Sequence, residues 1–164
     1  MIQIRINSKI LIFGFGIAAV IALLSAYISQ YIFGFEPCEL CLWQRKPFFL
    51  IIFLGLIVLL IPKLKKYQNH IFWLIILLLF INSGIAFYHF GVEKSWFEGL
   101  ASCSGNNFDI TNIEALKIAI ENTKAVRCDR PTFLFLRISM AGWNFIYCMF
   151  LVISGILIKK NVSD

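Results

Sequence analysis

Two cysteines at C-x-x-C spacing, Cys38 and Cys41, sit in a short polar island, Glu36-Pro37-Cys38-Glu39-Leu40-Cys41-Leu42-Trp43-Gln44-Arg45-Lys46, between two long apolar runs. At that spacing the sulfurs can close a reducible disulfide or share a metal ion. A helix opening near Pro37 puts Cys41 and Arg45 one turn apart on one face. A cation there, added to the positive end of a helix, favours the thiolate of Cys41 over its thiol. The thiolate is the form that attacks disulfides, binds metals and donates electrons. Three further cysteines, Cys103, Cys128 and Cys148, follow along the chain.

The elements that must hold this island belong to a membrane. The chain of 164 residues is 60% hydrophobic and 15% charged, where soluble domains are roughly half apolar and a quarter charged, so its composition matches a bilayer. The length allows one compact bundle, a single domain over residues 1–164. Four apolar runs predict spans at about 10–33, 41–61 (starting at Cys41 or Pro47), 71–90 and 133–158. Each is near the length of about 20 residues that an α-helix needs to cross a bilayer. Period-2 alternation is absent, which argues against a transmembrane barrel. The first run, after Arg5 and Lys9, exceeds the about 7–15 residues of a signal-peptide core and lacks a small-x-small cleavage site, so it reads as an anchored span. The fold class is therefore an all-α, four-transmembrane-helix bundle.

Charge placement sets the orientation. The formal net charge is +6, and its surplus lies beside the apolar runs with no basic-aromatic stripe, so nucleic acid is not an expected partner. Arg5, Lys9, Lys63, Lys65, Lys66, Lys159 and Lys160 face a single acid, Asp164, on one side. On the other side Arg45, Lys46, Lys94, Lys117, Lys124, Arg127 and Arg130 are balanced by eight acids, Glu36, Glu39, Glu93, Glu98, Asp109, Glu114, Glu121 and Asp129. The positive-inside rule places both termini and the 63–70 loop in the cytoplasm. The loops at about 34–46 and 91–132 then face outward. In the longer loop, Thr111-Asn112-Ile113-Glu114 fits a capping box. With Ile113, Leu116, Ala119 and Ile120 on one side, it predicts a short amphipathic helix, set on the membrane surface or over the bundle top.

Cys38, Cys41, Cys103 and Cys128 all fall in the outward loops, where disulfides persist; Cys148 lies in the fourth span and reads as packing. Cys103 and Cys128 could form an inert staple. A C-x-x-C bridge is a poor staple, because it constrains almost no unfolded chain. Four thiolates could form a zinc site, but Cys103 and Cys128 are not the second close C-x-x-C such a site normally has, so no metal is expected. Exchange between the two pairs suits the spacing better. One pair would face a soluble dithiol partner and the other a lipid-soluble acceptor such as a quinone.

These residues resemble the bacterial disulfide bond formation protein B (DsbB) oxidoreductases over nearly the whole chain. The resemblance rests on Cys38-Glu39-Leu40-Cys41 followed by Arg45, the second pair Cys103/Cys128, and Tyr88-His89-Phe90-Gly91-Val92-Glu93. Cys128-Asp129 and Ser139-Met140-Ala141-Gly142-Trp143-Asn144 complete it. It implies a dithiol:quinone oxidoreductase of the bacterial inner membrane, using ubiquinone or menaquinone. A reduced DsbA-like thioredoxin-fold protein of the periplasm would attack the Cys103–Cys128 disulfide at Cys103. Electrons would pass through a transient Cys38–Cys128 bond, and Cys41 would reduce the quinone. The resemblance also implies that Arg45 stabilises the Cys41 thiolate and charge on the quinone and that His89 donates to a quinone oxygen. Trp43, with Trp96, reads first as a headgroup-belt aromatic, but it adjoins the C-x-x-C in sequence and is expected to line the site. The alternatives are a quinone reductase of the vitamin K epoxide reductase type, in which the loop pair precedes the C-x-x-C, and a non-enzymatic membrane protein with structural disulfides or a metal site.

Overall fold

A computed structural model of the chain describes residues 8–99, 127–131 and 133–163. Four long helices dominate it: α1 (Ser8–Tyr31), α2 (Glu39–Leu60), α3 (Gln68–Glu93) and α4 (Met140–Ser163). All four are long and apolar enough to cross a membrane. Helix is the form these runs must take in lipid, because it alone satisfies every backbone N–H within the segment. Their outer faces stay apolar, with Phe13, Ile17 and Leu24 exposed on α1 and Phe53 and Leu56 on α2. The inner face of α1 is marked only by its spacing, with Ile12, Phe15, Ala19 and Leu23 buried three or four residues apart.

The helix ends follow from local chemistry. Gly34, at φ 72°, turns the chain out of α1 in the left-handed conformation that glycine adopts without strain. Cys38 caps α2, its sulfur accepting from the Cys41 N–H at 3.4 Å. Pro62 follows the end of α2 and opens a 3-10 turn over Pro62–Tyr67 that leads into α3. Ser139 precedes α4, and its hydroxyl accepts from the Gly142 N–H at 3.2 Å, as an N-cap does.

Helix α3 packs against each of the other three, most extensively against α4, whereas α1 and α4 scarcely meet. Phe72, Ile75 and Leu79 of α3 form the centre of the core with Ile51 of α2 and Val152 of α4. Lys159 Nζ donates to Ser8 Oγ at 2.7 Å, joining the end of α4 to the start of α1. Tyr147 of α4 donates to the Ala18 carbonyl of α1 at 3.0 Å.

The predicted spans correspond to α1–α4, with one boundary corrected. The fourth was expected from Phe133; the helix instead begins at Met140. Ahead of it, β1 (Leu134–Phe135) pairs antiparallel with β2 (Ile138–Ser139), Leu134 opposite Ser139. The turn residues Leu136 and Arg137 have φ of 52° and 64°, the positive values that a two-residue hairpin turn requires. The apolar run Phe133–Leu136 looks like helix from composition alone. Trp143 Nε1 holds the hairpin over the helix by donating to the Phe135 carbonyl at 3.1 Å. Cys103 and the predicted 111–120 helix lie outside the described residues.

Candidate redox site at the mouth of the bundle

The cap of α2 brings its two cysteines together. Both are free, and their sulfurs lie in hydrogen-bond contact at 2.9 Å. Cys38 is buried and stands ahead of the first helical residue, where the backbone N–H of Cys41 points at its sulfur. The bond with Cys41, aided by His89, outweighs the burial that opposes charge and pulls the Cys38 thiol down to about 4. The positive helix end therefore acts on Cys38, whereas the sequence suggested Cys41.

His89, on the last turns of α3, is 3% exposed. Its Nε2 lies 3.5 Å from Cys38 Sγ and 3.7 Å from Glu93 Oε1, and its Nδ1 lies 3.0 Å from Gln44 Nε2. Gln44 Oε1 in turn accepts from Asn144 Nδ2 at 2.7 Å. The Glu93 side chain is 6% exposed, and the Ser139 hydroxyl faces its carboxyl group. Its Oε2 has no hydrogen-bond partner among the described residues. The ligand atoms of Cys38, Cys41 and His89 lie within 4.8 Å of one another, close enough to share a soft metal ion.

Beside this cluster a cavity of about 470 Å³ opens where α1 and α4 part. Ile21, Ala22, Phe48, Phe133 and Trp143 give it apolar walls, and Cys38, Cys41, Arg45, His89 and Glu93 supply convergent polar groups. A ring-sized apolar cavity with a few placed polar groups suits a flat, lipid-soluble molecule such as a quinone. Cys41, Gln44, Arg45 and Phe48 reach it because their i, i+3, i+4, i+7 spacing puts them on one face of α2. Trp43 falls off that face, does not line the cavity, and carries Lys46 over its ring at 4.8 Å. Arg45 lines the cavity, but its guanidinium is held by α1, donating to Gln30 Oε1 at 2.7 Å and lying 4.9 Å over the Tyr27 ring.

Cys128 reaches the same place from the far end of the long loop. It is disulfide-bonded, to a partner outside the described residues. At 1% exposure it is buried in one cluster with Cys38, Leu40 and Val92, against which Cys41 and Tyr88 pack. So both ends of the predicted relay that fall among the described residues share one buried cluster.

The family described as "Disulfide bond formation protein DsbB" matches residues 8–158. The chain belongs to the DsbB family. Membership makes it part of the machinery of disulfide bond formation, with an oxidoreductase role, in a family that uses quinones. A curated relative from Rickettsia prowazekii (strain Madrid E), "Uncharacterized protein RP370", is 32% identical over 139 residues, covering 82% of this chain and 78% of its own. No solved structure matches.

Sequence reading missed three residues of this DsbB-family site as participants: Gln44, Glu93 and Asn144. The available sign was polarity inside or at the edge of apolar spans, where such side chains are costly and tend to serve function. From sequence, Cys148 reads as packing. It is fully buried in the core, but it also accepts from Asn82 Nδ2 at 3.5 Å and donates to Asn144 Oδ1 at 3.6 Å.

Proposed function

We propose that this DsbB-family protein reoxidises a periplasmic, thioredoxin-fold dithiol oxidase by disulfide exchange and passes the electrons to a membrane quinone. The observation that carries this reading is the burial of the disulfide-bonded Cys128 in one cluster with the free Cys38–Cys41 pair, at the mouth of an apolar cavity. Each exchange needs an attacking thiolate, an accessible sulfur and a suitable leaving thiol, and thiol pairs gathered at one site can meet all three.

In this scheme Cys103 receives the attack of the soluble partner and forms the mixed disulfide. Cys128 is the leaving thiol and passes the electrons on by a transient bond to Cys38. The freed Cys128 thiolate attacks Cys38 of the oxidised Cys38–Cys41 pair and expels Cys41; Cys38, whose thiolate is favoured, is the leaving sulfur when Cys103 closes back onto Cys128. Cys41, on the cavity face of α2, is the residue from which electrons leave the protein. A quinone in the cavity would supply the electron sink, taking two electrons and two protons. Arg45 presents a fixed positive charge to the negative charge that develops there, and its bond to Gln30 holds it in place without reorganisation. The protein sits in the bacterial inner membrane with its cysteine end in the periplasm and both termini in the cytoplasm, an orientation that the distribution of basic residues supports.

The test is quinone-dependent oxidation of a reduced thioredoxin-fold oxidase by the purified protein in detergent, beside Cys41→Ser and Cys103→Ser. Loss of turnover in both variants is expected. Turnover that persists in either breaks the relay.

A further inference from the structure

The polar side chains buried among the helices form one directed chain. Asn82 Nδ2 donates to Cys148 Sγ at 3.5 Å, and Cys148 donates to Asn144 Oδ1 at 3.6 Å. Asn144 Nδ2 donates to Gln44 Oε1 at 2.7 Å. That bond turns the amide nitrogen of Gln44, which can only donate, toward His89 Nδ1 at 3.0 Å. Nδ1 must then accept, so the ring hydrogen of neutral His89 sits on Nε2. Nε2 faces Cys38 Sγ at 3.5 Å and Glu93 Oε1 at 3.7 Å. Each link donates to the next, and the chain ends on the sulfur of the redox pair.

This direction has two chemical consequences. An imidazole with Nδ1 accepting and Nε2 donating has no free lone pair to take a proton. The same hydrogen closes Nε2 to a metal ion, which removes one of the three potential ligands. The neighbouring group with spare capacity is Glu93. It is 6% exposed, has one oxygen without a partner among the described residues, and lines the cavity. The groups that act on it are His89 and Lys94 from α3, Cys38 from the cap of α2, and the Ser139 hydroxyl; Glu93 in turn acts on Cys41.

We propose that Asn144 and Gln44 are positioning residues that lock His89 as a hydrogen-bond donor to Cys38, and that Glu93 is the proton carrier of the Cys38–Cys41 pair. The second half rests on the quinone reading above. The reduced pair holds a thiolate at Cys38 and a thiol at Cys41. Closing their disulfide breaks the Cys41 S–H bond, forms the S–S bond and releases two electrons to the quinone. Glu93 takes the Cys41 proton and gives it up to the cavity, where reduction also consumes one proton from the aqueous end. The redox and proton balances then close.

Quinone-free full-length protein in detergent decides the matter. With His70→Gln leaving His89 as the one histidine, nitrogen NMR should find hydrogen on Nε2. Gln44→Glu, whose carboxylate accepts, should move it to Nδ1. If that variant does not fold, Gln44→Met should give a mixture of tautomers. Hydrogen on Nδ1 in the Gln44 protein overturns the lock. Cycling the pair with a dithiol buffer should give a carboxyl band in the infrared difference spectrum that Glu93→Gln removes, and the same variant should slow quinone-dependent turnover about a hundredfold. A band unchanged in Glu93→Gln, or no band at all, overturns the carrier role. Absence of quinone turnover in the wild type would sink the proposed function while leaving both spectra readable.

Discussion

Cys38 and Cys41 are three residues apart, yet the fold gives them opposite electrostatic parts. The spacing correctly put Cys41 and Arg45 on one face. It could not reveal that α2 starts one residue after Cys38, so that the cap falls on the first cysteine, whose pKa is lowered chiefly by its bond with Cys41. Nor could it reveal that Gln30, 15 residues earlier, holds the Arg45 guanidinium. Depressing an acid's pKa in the folded protein keeps its charged form at lower pH, so the reactive thiolate of Cys38 should survive until pH falls through about 4. Alkylation of the reduced protein by a small reagent, with Cys38 followed by mass spectrometry, should keep its rate at pH 6, where an ordinary thiol is almost fully protonated. Cys41→Ala, which removes the hydrogen bond responsible, should move the midpoint up toward the ordinary thiol range. A midpoint that stays put in Cys41→Ala would place the cause elsewhere.

At the scale of elements, the four helices were legible because long apolar runs have one stable form in lipid. Their inner faces were not, because a lipid-facing surface is as apolar as the core and no periodic stripe marks the difference. The hairpin ahead of α4 was illegible for a related reason. Its turn falls on Leu136 and Arg137, with neither glycine nor asparagine to announce positive φ. Gly142 makes this region tight, since a Cβ there would lie 2.6 Å from Ile138 Cγ2 and 3.1 Å from Phe90 Cδ2. Gly142→Ala must therefore push β2 or α3 aside. It should cost about 1–3 kcal/mol, the usual scale of overpacking, read as a lower unfolding midpoint in detergent. Gly14, with nothing within 4 Å of its would-be Cβ, is the control: Gly14→Ala should leave the midpoint unchanged or raise it.

At the scale of the whole molecule, the site draws on every helix. Cys38, Cys41 and Gln44 come from the start of α2, His89 and Glu93 from the end of α3, Asn144 from the first turns of α4, and Gln30 from the end of α1. The chemistry is concentrated at one end because successive helices run in alternate directions, which brings distant stretches of sequence to a common mouth. The cavity lies beside the slight contact of α1 with α4 and is lined by residues of all four helices.

The bond between Lys159 and Ser8 has a practical side. It gathers the first and last turns of the bundle at the end farthest from the cysteines, so cargo attached to either terminus shares one compartment and leaves the redox mouth unobstructed. A fluorescent protein that matures only in the cytoplasm should light up whether fused before α1 or after α4. An alkaline phosphatase that works only after export should stay dark at both ends and become active when inserted after Gly99. Opposite readings from the two termini would mean that the chain crosses the bilayer an odd number of times.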